Sequence, residues 1–113
     1  ILWDLAQVRH LDESAAFAAI LEEELRGRIA VNERPVLQAP FRVLAAANMP
    51  AVVVETGYLT NTEDERLLKS AGHQDLIVQA LLQSVIRFRE VRERGVAATP
   101  TGVSAPNPSR PPR

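Results

Sequence analysis

The chain has no cysteine, which excludes a disulfide framework and any thiolate zinc site within it and leaves its redox compartment open. It also has no dominant charge. Thirteen Lys and Arg stand against fourteen Asp and Glu, for a formal net charge of −1. Without a basic excess there is no electrostatic footprint for nucleic acid or for attachment to an anionic membrane surface. No apolar run approaches the ~20 residues that a helix needs to cross a bilayer, so no membrane insertion is expected. The opening ILWDLAQ lacks the charged leader, long apolar stretch and cleavage site of a secretory signal. Residue 1 is Ile, and the expectation is a piece of a longer chain with any targeting signal upstream.

What is present alternates between helical and strand patterns. Of 113 residues, about 95 are patterned for folding, enough for one small domain or part of a larger one. DESAAFAAILEEELRGR spaces Phe17, Ile20, Leu21 and Leu25 at helical intervals, with Asp12 or Ser14 as N-cap and Gly27 near the end. TNTEDERLL starts a second helix through overlapping capping boxes, Thr60 with Glu63 and Thr62 with Glu65, and puts three acids in the first turn. Gly72 breaks the chain. QDLIVQALLQSVIRFREVRERG then reads as the longest helix, with Ile77, Leu81, Val85 and Phe88 on one face and Gly95 just past its end. Its Arg87, Arg89, Arg92 and Arg94, interleaved with Glu90 and Glu93, read as a solvated face. Trp3 reads as core or interface. Residues 96–113, rich in Pro, Ser, Thr and Gly, read as a disordered tail.

Between the first two helices, PVLQAPFRVLAAANMP leads irregularly into a short strand around Phe41 to Leu44. After Pro50, AVVVE is β-branched and apolar without alternation, the pattern of a strand covered on both faces. The expected fold class is α/β: part of a three-layer domain with a mostly parallel sheet flanked by helices, incomplete because two strands and three helices are too few to close one.

PAVVVETGYLTN, residues 50–61, then poses the functional question, since nothing in local propensity asks an apolar run to end in Glu55. In open α/β sheets the functional crevice lies beyond the carboxyl ends of the strands. A carboxylate emerging there, partly buried, has its pKa raised toward the range useful for general base work. Gly57 permits positive φ or a close approach, Tyr58 lines the cleft or packs at the corner, and Asn61 hydrogen-bonds the backbone before the next helix. The alternative reading is structural: Glu55 accepts backbone N–H groups or pairs with an Arg.

The block from Arg42 to Asn61, RVLAAANMPAVVVETGYLTN, resembles the C-terminal signature of the zinc-dependent N-acetylmuramoyl-L-alanine amidases of the amidase 3 family. In that signature Pro-Ala-[VIL]-Leu-Val-Glu-x-Gly-[FY]-[LIMV]-[ST]-Asn follows a Val-Leu pair. The chain departs from it by Val53 at the Leu position and Thr56 where Ile or Met is usual. WDLAQVRHLDESAAFAAILEEEL is similar to a family segment with a Ser ahead of a helix, here Ser14, Phe17 and Ala18.

The resemblance implies that residues 1–95 are the C-terminal half of a catalytic domain whose N-terminal half is a partner missing from this chain. It implies hydrolysis of the amide between N-acetylmuramic acid and L-alanine of the stem peptide, with peptidoglycan peptide and glycan as ligands, in the periplasm or extracellular cell wall. By position Glu55 is the implied general base, acting on water activated by a zinc held by His, Glu and His, with Gly57, Tyr58 and Asn61 as motif support. The ligand motifs, His-Gly-Gly and Ser-x-His, do not occur here, and His10 and His73 stand in other contexts. The implied zinc therefore has its ligands upstream, and the chain alone is expected to be inactive. A non-catalytic derivative that binds wall peptides or a partner is the competing expectation.

Overall fold

The computed structural model describes residues 2–39, 42–44 and 47–97. Helix α1 is Leu2–Arg26, α2 is Thr62–Leu68 and α3 is Ala71–Ala97, with a single 3₁₀ turn at Arg42–Leu44 between the first two. Helix α1 begins well before Asp12 and Ser14, which therefore lie inside it and cap nothing. The reason is the absence of any Gly or Pro from residue 2 to residue 26, since a capping side chain acts only where the residues before it have left helical geometry. The helix ends at the expected place. Gly27 N–H donates to the Glu23 carbonyl at 3.1 Å, and Arg28 reaches back so that its Nη1 donates to the Glu24 carbonyl at 2.9 Å. Both contacts satisfy carbonyls that have no partner further along the helix.

Helix α2 starts at Asn61, whose extended backbone and Oδ1 make it the N-cap; that oxygen accepts the N–H groups of Glu63 and Asp64 at 3.0 Å each. The two Thr-based capping boxes read from the sequence are not used for this start. Glu63, Asp64 and Glu65 do fill the first turn, where acids oppose the positive end of the helix dipole. The break before α3 falls at Ser70 and not at Gly72, which sits in the first turn of α3; the Ser70 hydroxyl accepts His73 N–H at 3.4 Å. Gly95 lies inside α3 and does not terminate it.

Helices α1 and α3 run antiparallel, because Glu13 meets Arg92 and Phe17 meets Phe88. The core between them is small: Leu21 from α1 and Ile77 and Ala80 from α3 are buried, together with Ser84, whose hydroxyl is satisfied by the Leu81 carbonyl at 2.8 Å. The buried stripe of α3 therefore follows the small residues Ala80 and Ser84, which let α1 approach closely, and Val85, expected on that face, is 54% exposed. The Phe17 and Phe88 rings stack at 4.8 Å between centroids, and the Arg92 guanidinium lies 5.8 Å above the Phe88 ring. The Arg-rich end of α3 is only partly a solvated face. Arg89 and Arg94 pair within the helix with Glu93 and Glu90, whereas Arg87 and Arg92 cross to α1.

The α/β expectation is corrected: the described residues form helices and no strand or sheet. Residues 51–58 have no helical or ladder assignment, and the anticipated short strand near Leu44 is a 3₁₀ turn, with Phe41 outside the described residues. The β-branched run Val52 to Val54 disfavours helix locally, but a strand exists only through a hydrogen-bonded ladder with a second segment. No described residue supplies that ladder. Nor is the run covered on both faces, since Val53 is 43% exposed. The side chain of Trp3 and most of the anticipated tail, residues 98–113, lie outside the described set.

Candidate functional site

The segment around Glu55 is placed from its two ends. On the entering side, Ser14 sits half-buried in the middle of α1, and its Oγ accepts the Ala51 N–H at 2.9 Å, a contact that spans 37 positions of sequence. On the leaving side, Asn61 N–H donates to the Tyr58 carbonyl at 3.0 Å to close a turn, and Asp64 Oδ2 accepts the Tyr58 N–H at 2.9 Å. Asp64 is the third residue of α2, the position from which an acidic side chain reaches back over the helix start. Between these ends the chain carries Ala51, Val52 and Val54 half-buried and presents Glu55 to solvent.

Gly57 is the one described residue whose backbone needs glycine, with φ +152°. A Cβ there would also stand 3.3 Å from the Asp64 Cβ. The glycine thus allows the chain to pass close over the start of α2, as its place after Glu55 leads one to expect. Tyr58 is 65% exposed and packs no corner. Asn61 makes the local backbone contacts anticipated for it, as the α2 cap.

Glu55 is exposed, so the apolar surroundings anticipated for it are not present. The structural alternative also lacks its contacts: among the described residues no cation pairs with Glu55 and no backbone N–H donates to it. What the chain presents is a carboxylate with its full acceptor capacity, at the end of an apolar run and two residues before the glycine turn.

The other titratable groups are engaged elsewhere. His10 lies inside α1 with Nδ1 3.3 Å from Glu13 Oε2, and His73 lies in the first turn of α3. Arg87 donates to Glu24 Oε1 and to Glu23 Oε2 at 2.7 Å each, and Arg28 also binds Glu24. Those hydrogen bonds, Arg87 first and then Arg28, hold the Glu24 carboxyl below its ordinary range. Arg66 does the same to Glu63 on α2. Among the described residues no three His, Cys, Asp or Glu gather as metal donors, so this part of the chain does not fit a zinc centre. A groove of about 600 Å³ lined by Val85, Phe88, Arg92 and Val96 lies toward the far end of α3 and shares no residue with the Glu55 segment.

Sequence reading missed Asp64 as the tether of Tyr58, although an acid three places after a capping Asn is a legible sign of a side chain that reaches backward. It singled out Ser14 without its contact, because no local pattern marks a bond to a residue 37 positions away.

Comparison with known proteins adds the context that this geometry lacks. Residues 4–87 match the profile of the family described as N-acetylmuramoyl-L-alanine amidase. The chain is 32% identical over 88 residues to N-acetylmuramoyl-L-alanine amidase AmiA of Escherichia coli (strain K12), a match covering 78% of this chain and 30% of that protein. It is 32% identical over 87 residues to amidase AmiC of Neisseria meningitidis serogroup B, covering 77% of this chain and 21% of the relative. With amidase LytC of Bacillus subtilis (strain 168) the identity is 33% over 78 residues, covering 66% and 16%. The chain thus spans less than a third of the length of these relatives. No solved structure matches it significantly.

Proposed function

The chain belongs to the N-acetylmuramoyl-L-alanine amidase family, and on that premise we propose that it is the C-terminal part of a peptidoglycan-hydrolysing domain in which Glu55 is the general base. The observation that carries this reading is the exposed carboxylate of Glu55, unpaired among the described residues, at its place in the PAVVVETGYLTN motif. The substrate is the amide joining the lactyl group of N-acetylmuramic acid to L-alanine. Glu55 takes a proton from water as its oxygen attacks the amide carbon, then delivers that proton to the alanine nitrogen as the C–N bond breaks. The products are a lactyl carboxylate and a stem peptide with a free amino terminus. The zinc implied by the family reading would need donors outside the described residues, so none of these steps is routed through it. Such a substrate places the protein in the periplasm or extracellular wall.

A second reading is a wall-binding derivative of the same scaffold without turnover. Glu55→Gln in the full-length protein separates the two. Gln is nearly isosteric with Glu but cannot accept the proton, so muropeptide release per folded molecule should fall by about 10² to 10⁴. Near-normal release with Gln in place removes Glu55 from the chemistry, and wild-type protein that binds wall peptides without releasing them supports the binder.

A further inference from the structure

We propose that Ser14 and Asp64 are positioning residues for Glu55, one anchor on each side of it; the proposal rests on Glu55 being the general base. Ser14 Oγ holds the Ala51 N–H four residues before Glu55, and Asp64 Oδ2 holds the Tyr58 N–H three residues after it, each at 2.9 Å. The two anchors stand on different helices. Ser14 belongs to α1 and Asp64 to α2, and both helices pack against α3. The backbone carrying Glu55 is therefore tied at both ends to one frame. A segment with no ladder has few other restraints: among the described residues, the backbone N–H groups from Val52 to Gly57 make no hydrogen bond.

The chemistry of the two anchors suits the task. Ser14 accepts through a hydroxyl that is half-buried on α1, where water competes less for Ala51 N–H. Asp64 accepts through a carboxylate, and a charged acceptor makes the stronger bond at an exposed place. Gly57 completes the arrangement: a Cβ there would press on the Asp64 side chain at 3.3 Å, and its φ of +152° is one that residues with a side chain rarely adopt. Both side chains act through the backbone and neither has to touch substrate. Their removal should change where the carboxylate stands and how long it stays there. A base misplaced by a fraction of an ångström loses rate while substrate still binds.

The test uses the full-length protein with Ser14→Ala, Ser14→Thr, Asp64→Ala and Asp64→Asn, beside Glu55→Gln. Two readouts are taken: kcat and KM for muropeptide release per folded molecule, and amide hydrogen exchange at Ala51 and Tyr58 with ¹⁵N order parameters over residues 52–57. Ser14→Ala and Asp64→Ala should each lower kcat by roughly tenfold with KM within about twofold. Each should also expose its own amide to exchange and lower the order parameters toward the flexible range, below about 0.6. Ser14→Thr and Asp64→Asn keep an acceptor oxygen and should restore both readouts. Unchanged exchange in the Ala variants, loss of activity only in step with folded fraction, or a Thr variant no better than Ala would each overturn the proposal. An active Glu55→Gln protein instead defeats the general-base reading and the catalytic role of the anchors with it, and the exchange data still report whether the anchors hold the segment.

Discussion

Helices α1 and α3 hold each other through side chains, from Glu13 to Glu24 on α1, whereas the segment from Pro50 to Asn61 is held through its backbone at its ends. In the helix pair, Leu21, Ile77 and Ala80 are buried, Phe17 and Phe88 stack, and Arg87 and Arg92 bridge to acids on α1. Many modest contacts share that load. The Glu55 segment depends on two hydrogen bonds to side chains and on one helix cap. The difference separates two tasks: one region makes a frame by excluding water, and the other leaves a carboxylate in water and spends its contacts on direction. Damage should accordingly travel one way. Loss of the frame releases the segment, because Ser14 is part of α1, while loss of a segment contact leaves the helices paired.

The largest effect on stability is expected at the frame. Leu21→Ala removes the buried leucine of α1 and should cost about 2 to 5 kcal/mol, read as a lower urea midpoint by far-UV circular dichroism, with Ala51 N–H losing exchange protection at the same time. If Ala51 stays protected when the helix pair has loosened, the one-way relation is broken.

Gly57→Ala tests the segment from inside. Positive φ at that position and the 3.3 Å approach to Asp64 should cost about 1 to 3 kcal/mol of local order, seen as faster exchange at Tyr58 with the helix melting unchanged. Asn61→Ala should be milder, about 1 kcal/mol, and confined to fraying of α2; a wholesale shift of the unfolding midpoint would show that the segment supports the frame.

The smallest effect belongs to the ion pairs between the helices. Glu24 has its carboxyl held below the ordinary range when folded, by Arg87 and then Arg28. Its contribution is therefore complete above the unfolded glutamate pKa, about 4.3, and is lost as pH falls through the lower, folded value. The melting temperature of the wild type should drop more steeply on acidification below about pH 4.3 than that of Arg87→Gln. Parallel curves would mean that Arg87 orients the helices without stabilising them.

Much of this architecture is legible in the sequence. The end of α1 at Gly27, the acidic first turn of α2, the long α3 and the backbone role of Asn61 all follow from contacts within a few residues, so local pattern carries them. The start of α1 was misread because Asp12 and Ser14 have the chemistry of caps, and only the continuing helix before them deprives them of that role. The face of α3 was misjudged by one position at Val85, because periodicity ranks residues by apolarity while close approach of α1 selects the small Ala80 and Ser84.

By itself the sequence determined the end of α1, the helices α2 and α3, that the run before Glu55 resists helix, that Gly57 sits at a tight passage, and which family motif surrounds the carboxylate. These depend on backbone propensity and on residue order, both present in the chain as written. Whether the run Val52 to Val54 pairs into a sheet was decided only by tertiary structure, and so was the bond from Ser14 to Ala51. Each depends on a partner far away in sequence, and a hydrogen bond or a ladder exists only once folding has brought that partner within about 3 Å.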